Sequence, residues 1–141
     1  MSRRDAYQDA FNMLCGDVIG RGVHRTVYDC PLRPDLVVKV EHKFARFFAN
    51  VLESRLWTDA EDHAPVARWL APVEFVSPDA RLLLMRRADP VPADYRLPDK
   101  VPSFLSDVKR DNFGILDGRL VCIDYALTTP DMSLRLKRAY W

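Results

Sequence analysis

No stretch of this sequence approaches the roughly 20 consecutive apolar residues that a membrane-spanning helix needs. The opening SRRDAYQDAF also lacks the continuous apolar core of a secretory signal. Cysteine is scarce. Cys15, Cys30 and Cys122 are an odd number without metal-like spacing, which argues against a disulfide framework and for a reducing compartment. Charge of one sign is not in excess either: 21 Lys and Arg against 20 Asp and Glu leave a net charge of +1, so no strong field drives the chain onto nucleic acid or a membrane surface. These absences lead us to expect a soluble cytoplasmic protein.

What is present fits one domain, since 141 residues can bury a substantial core. The stretch around which the chain is organised is LSDVKRDNFGILDGRLVCIDYAL, residues 105–127. It reads as an acidic loop, a short strand, an Asp117-Gly118 turn, a second apolar strand from Leu120 to Ile123, and then Asp124. Asp-Gly between two apolar runs is a strong hairpin signal. A hairpin returns the chain to its origin, so Asp107 and Asn112 before it should lie near Asp124 after it. Two carboxylates and a carboxamide would then supply the hard oxygen ligands that Mg²⁺ selects.

Upstream, Ala6, Tyr7, Ala10, Phe11, Met13 and Leu14 recur at helical spacing and Gly16 stands where a helix would stop, which predicts one amphipathic helix lying across the following sheet. DVIGRGVHRTVYDC reads as two strands about a turn carrying Gly20 and Gly22; glycine permits backbone to approach a ligand, although a plain hairpin explains the same residues. The run LVVKVEH is a strand apolar on both faces except for Lys39. A buried lysine is expensive unless paired. Residues 43–57 have helical periodicity through Phe44, Phe47, Phe48, Val51, Leu52 and Leu56, and Glu53, beside that apolar stripe, is the best partner. Glu41 leads off the strand end, and Arg46 and Arg55 face water. A surface lysine and a solvated helix glutamate are the alternative. APVEFVSPDARLLLMRR then reads as two antiparallel strands about a Ser77-Pro78-Asp79 turn, the second ending near Met85. Four prolines (Pro90, Pro92, Pro98, Pro102) exclude a long helix from the next segment. Asp131 to Trp141 is expected to form a final packed helix through Leu134, Leu136, Tyr140 and Trp141.

In this order the residues resemble the protein kinase family. Asp107, Lys109 and Asn112, with Asp124 at a strand end, are similar to its catalytic loop and metal-binding aspartate; Lys39 and Glu53 are similar to its strand lysine and helix glutamate; Gly20 and Gly22 are similar to its glycine-rich loop. The flanking letters differ: Leu105-Ser106 stands where the family has His-Arg, Asp124-Tyr125-Ala126 where it has D-F-G, and Arg25 where it has a third glycine. The resemblance implies an α+β, protein-kinase-like fold: a five-stranded antiparallel sheet with one long helix over about residues 16–88, and a heavily reduced second lobe over about 89–141, an economy that brings phage proteins to mind.

It implies ATP and Mg²⁺ as cofactors, Asp107 and Lys109 as catalytic residues, and Asn112 and Asp124 as metal ligands. Gly20, Gly22, Val27, Lys39, Glu53 and Met85 would be nucleotide contacts, Val27 packing on adenine and Met85 lying near its pocket, while Arg21 or Arg25 touches phosphate by charge. Two functions follow from different classes: a minimal phosphotransferase, and a catalytically inactive kinase-like protein that acts by engaging a protein partner. The room left by the reduced lobe adds a homodimer to the candidate partners.

Overall fold

The computed structural model describes residues 2–45, 48–128 and 131–141. Helix α1 (Arg3–Leu14) starts at Ser2, whose hydroxyl accepts from the Asp5 N–H while the Asp5 carboxylate accepts from the Ser2 N–H. Strands β1 (Val18–Arg21), β2 (Arg25–Asp29) and β3 (Leu36–Glu41) follow. Next come helix α2 (Ala49–Ala60), the short α3 (Ala64–Ala67), and strands β4 (Val73–Val76) and β5 (Leu82–Arg86). These five strands form one antiparallel sheet in the order β1-β2-β3-β5-β4. The remainder is sparse in helix: β6 (Asp89–Pro90), β7 (Lys100–Pro102), a single 3₁₀ turn (Arg110–Asn112), β8 (Phe113–Leu116), β9 (Arg119–Cys122) and β10 (Leu136–Arg138). The architecture is mixed α+β, with few helices around a five-stranded antiparallel sheet. No described helix is long and apolar enough to cross a membrane.

Strand alternation divides the sheet between two cores. Leu36 and Val38 of β3 join Cys15 and Cys30 in a small cluster on one face, covered by Leu14, Tyr28, Leu82 and Leu84. Val37, Leu83 and Met85 point the other way, into the main core with Leu56 of α2, Phe104, Phe113, Val121 and Tyr125. Lys39 follows Val37 by two residues and shares its face. In β2, Arg25 and Val27 lie on that face too, because Val27 pairs with Lys39 and Arg25 with Glu41. Two cations thus enter the main core side by side. A slip of one residue would turn both to the opposite face.

The β8–β9 hairpin docks under this face. Its turn uses Asp117 at φ 51° and Gly118 at φ 76°, two consecutive left-handed residues as a tight hairpin requires. Backbone bonds from Cys122 N to Trp69 O (2.7 Å) and from Ala71 N to Cys122 O (2.9 Å) fasten β9 to the chain after α3. The buried Tyr125 hydroxyl donates to Ala71 O at 2.7 Å. Gly114 lets β8 lie against β6: a Cβ there would come within 2.7 Å of Ala88 Cβ and 2.8 Å of Asp89 O.

Five expectations are corrected. The carboxy-terminal segment from Asp131 is not a helix. Its apolar residues Leu134 and Leu136 are two apart, and β10 pairs with β7 (Leu136 opposite Pro102, Arg138 opposite Lys100), with Ser103 N to Arg135 O at 2.7 Å and Ala139 N to Asp99 O at 2.9 Å. Trp141 meets Phe113 edge-on at 5.0 Å with Nε1 donating to Pro98 O, but Leu134, Leu136, Tyr140 and Trp141, expected to pack, are all exposed. The helix expected from Lys43 begins at Ala49, because the Glu41 carboxylate takes the Asn50 N–H at 2.8 Å and starts the first turn there. Phe44 and Phe48 are consequently exposed, Arg55 faces water as expected, and Arg46 and Phe47 lie outside the described residues.

Gly20 is not in the turn but within β1 opposite Val27, and Gly22 N donates to Arg25 O at 2.8 Å. Helix α1 does not lie across the sheet: none of its residues is buried, and it touches the sheet at its end, through Leu14 and the edge contact of Phe11 with Tyr28 at 5.6 Å. The strand read as Leu120 to Ile123 is shifted by one residue, to Arg119–Cys122.

Candidate functional site

The site is assembled where β2, β3, α2 and the end of β9 meet. Glu53 lies on the inward face of α2 and is fully buried, at 0% exposure; Lys39 and Arg25 approach it from the sheet at 3% and 7%. Lys39 Nζ donates to Glu53 Oε1 and to the backbone carbonyl of Ile123. Arg25 Nη2 donates to Glu53 Oε2 at 2.7 Å and to Asp124 Oδ1 at 3.0 Å, and Arg25 Nη1 donates to Asn50 Oδ1 at 3.1 Å. Both oxygens of Glu53 are thereby engaged, one by each cation, and two cations are balanced by two carboxylates. Buried charge at this density is tolerated only with such mutual pairing.

The protonation equilibria follow from that balance. Burial is the largest influence on Lys39 and pushes its amine below the usual lysine range, against the pull of Glu53. Burial also acts to raise Glu53, but Lys39 and Arg25 together outweigh it and hold the carboxyl below its ordinary value. For Arg25, Glu53 and Asp124 outweigh burial and the guanidinium is held above its ordinary value. These shifts favour the charged forms of Glu53 and Arg25, whereas burial works against the charge on Lys39.

The outer half of the site is open. Asn112, buried in the 3₁₀ turn, donates through Nδ2 to Asp107 O at 2.8 Å and to Asp107 Oδ2 at 2.9 Å. Lys109 Nζ lies 3.5 Å from the same Oδ2. The Asn112 carbonyl accepts from Ile123 N at 2.8 Å, so the turn and the strand end are stitched together one residue before Asp124. From Asp107 a continuous path of hydrogen bonds runs through Asn112, Ile123, Lys39, Glu53 and Arg25 to Asp124. The side chains of Asp107, Lys109 and Asp124 are 52%, 59% and 56% exposed.

Among the expected nucleotide contacts, Val27 pairs with Lys39 and is partly buried against the main core, while Gly20 and Gly22 lie in the hairpin above. Met85 is fully buried, between Val37 and Val73 on the neighbouring strands. Arg21 is exposed. Two cavities, of about 520 and 580 Å³, lie elsewhere; they share Arg68 and Arg119 and neither is lined by a residue of this hydrogen-bonded path.

The donor set fits a hard divalent cation. With Nδ2 of Asn112 donating to Asp107, its carboxamide Oδ1 is left as an acceptor, and Asp124 retains Oδ2 beyond its contact with Arg25. Among the described residues no group of three or more His, Cys, Asp or Glu side chains could hold a metal. Mg²⁺ does not demand one, since it commonly takes one or two protein oxygens and completes its shell with phosphate and water.

Sequence reasoning missed Asn50 and the pairing of Arg25. Asn50 is fully buried and its Nδ2 donates to Ala80 O (2.9 Å) and Arg81 O (3.1 Å), tying the start of α2 to the β4–β5 turn. Its position three residues before Glu53, on the same helix face, was the available signal. Arg25 had a weaker one: it stands two residues before Val27 on a strand whose inward face also carries the partner of Lys39. A scan against protein-family models finds no match to this chain, and a search of curated proteins finds no significant relative.

Proposed function

We propose that this chain is a minimal protein-kinase-like phosphotransferase that uses ATP and Mg²⁺. The observation that carries the reading is the fully buried Glu53 pairing with Lys39, whose amine also reaches the carbonyl that precedes Asp124. A core gains nothing from such a group that an apolar residue would not supply more cheaply, so its retention points to work done on a charged ligand.

The roles follow from position. Lys39, oriented by Glu53, holds the α- and β-phosphates beneath the Gly20–Gly22 hairpin. Asn112 Oδ1 and Asp124 Oδ2 would hold the divalent cation, which would neutralise charge accumulating on the phosphates. Asp107 receives the proton of the attacking hydroxyl on its unengaged oxygen; the new bond from that hydroxyl oxygen to the γ-phosphorus forms as the bond to the ADP oxygen breaks. Lys109 steadies the γ-phosphate. Positioning and charge neutralisation supply most of the barrier reduction in such a transfer.

A second reading has its own support. Arg25 already sits on Asp124 Oδ1, which favours an inactive kinase-like protein that engages a protein partner. Calorimetric titration of ATP with and without Mg²⁺, combined with transfer of labelled γ-phosphate to the chain itself or to a generic protein acceptor, separates the two. Mg²⁺-dependent binding with transfer that Asp107→Asn abolishes supports the phosphotransferase. Binding without transfer favours the second reading, and no binding removes the nucleotide from both.

A further inference from the structure

Arg25 is the feature that the phosphotransferase reading does not use. It is a buried arginine in the strand that leaves the glycine hairpin, and its guanidinium ties that strand to two other parts of the fold, through Glu53 and Asn50 of α2 and through Asp124 after β9. Coulomb attraction to Glu53 and Asp124 outweighs the burial that opposes its charge. An arginine cannot shed its proton at any physiological pH, so its charge stays on Asp124 unless the side chain moves.

We propose that Arg25 is an internal cation that competes with a divalent metal for Asp124, so that the free protein holds its metal carboxylate closed and loading requires the guanidinium to withdraw. The proposal rests on the phosphotransferase reading only in taking Asp124 as the metal-holding carboxylate. Its physical basis is the 3.0 Å contact: a divalent ion on Oδ2 would share one carboxylate with a fixed positive charge on Oδ1, and like charges this close repel strongly in a partly buried site. Withdrawal is feasible because Lys39 remains to pair Glu53, so the buried carboxylate is never left without a cation. The Gly22 and Val23 turn beside Arg25 is exposed, which leaves β2 room to shift at that end. The site is thus weakened toward metal alone, and a ligand that brings its own anionic charge, such as a nucleoside triphosphate, is suited to draw the guanidinium off.

The test is a titration with Mn²⁺ alone, read by paramagnetic broadening of the backbone amide signals of residues 123–126, in the wild type, Arg25→Met and Arg25→Gln. Removal of the charge should lower the Mn²⁺ concentration for half-broadening by at least roughly tenfold; the full near-surface interaction of unit charges ~4 Å apart would give roughly a thousandfold, reduced here because Asp124 is half exposed and the guanidinium can withdraw. Arg25→Gln keeps a hydrogen-bonding group, so it stands in if Arg25→Met is poorly folded, and both should respond alike. Equal broadening in all three proteins, or weaker broadening in the variants, overturns the competition. Absence of ATP binding together with tighter Mn²⁺ binding in the variants would refute the phosphotransferase reading and leave this inference standing.

Discussion

Replacing Glu53 should cost far more than replacing Lys39, although the two are partners in one buried pair. Glu53→Gln leaves one acceptor oxygen where two were used and turns an amide donor toward a cation, so Lys39 and Arg25 lose the carboxylate between them and only Asp124 is left to balance both. Removing one partner of a buried pair destabilises by about 3–5 kcal/mol. For a chain of this length that corresponds to a fall in melting temperature of roughly 10–15 °C. Lys39→Met removes the group that burial already penalises and leaves Glu53 with Arg25 at 2.7 Å. Its cost reduces to an unpaired oxygen on Glu53 and the lost donor to Ile123 O, about 1–2 kcal/mol. Urea unfolding followed by circular dichroism at pH 7 measures both, and the double variant completes a cycle. Removing Lys39 from the Glu53→Gln background should restore part of the loss, giving a coupling well outside additivity. Equal costs for the two single variants would refute the claim that Arg25 is a second cation on Glu53. A neutral Glu53→Gln would refute the buried pair altogether.

Gly114→Ala should destabilise by about 1–3 kcal/mol in the same unfolding assay, because its Cβ would enter the backbone of β6; no change would mean that β6 and β8 are not in contact as described. Deleting Ser133 to Trp141 strips β10 from β7 and removes the Trp141–Phe113 contact, so the melting temperature should fall by several degrees. An unchanged value would show that the tail contributes nothing. On the alkaline side, burial raises the Cys122 thiol to about 12 and the Cys15 thiol to about 11, with Tyr125 also raised. Their stabilising contribution is complete below the ordinary thiol value near 8.5 and is lost as pH climbs from there through the folded values. Lys39, lowered by burial, works in the opposite direction. Melting temperatures should therefore decline above pH 9 and decline less in Cys122→Val; a flat profile to pH 10.5 would contradict this. In acid, Glu53 is held low, so its contribution is present above about pH 4.3 and fades as pH falls through its folded value.

Most of the fold was legible because its signals are local. The Asp117-Gly118 turn demands two left-handed residues, the alternation in LVVKVE assigns each side chain to a face, and the prolines after Asp89 forbid a helix; none of these depends on distant parts of the chain. The need of Lys39 for a carboxylate was legible for a related reason, since the cost of burying an amine is a property of the residue and its apolar neighbours. Glu53 was reached from that need together with its place beside the apolar stripe of the helix, and it does pair with Lys39.

What failed was wherever the backbone took its partners from afar. The segment after Asp131 has enough apolar residues for a helix, yet the free edge of β7 offers hydrogen bonds to an extended chain, and the residues two apart take them. The start of α2 moved to Ala49 because a carboxylate nine residues earlier caps Asn50, a contact that helical periodicity does not encode. The residues alone place Lys39 in an apolar strand where it could not stand unpaired, Glu53 on the helix that follows, and Asp124 after the hairpin. That Arg25 shares Glu53 with Lys39 and closes over Asp124 is set by packing, because a buried charge is matched by whichever opposite charges the fold brings within reach, and sequence spacing does not measure that distance.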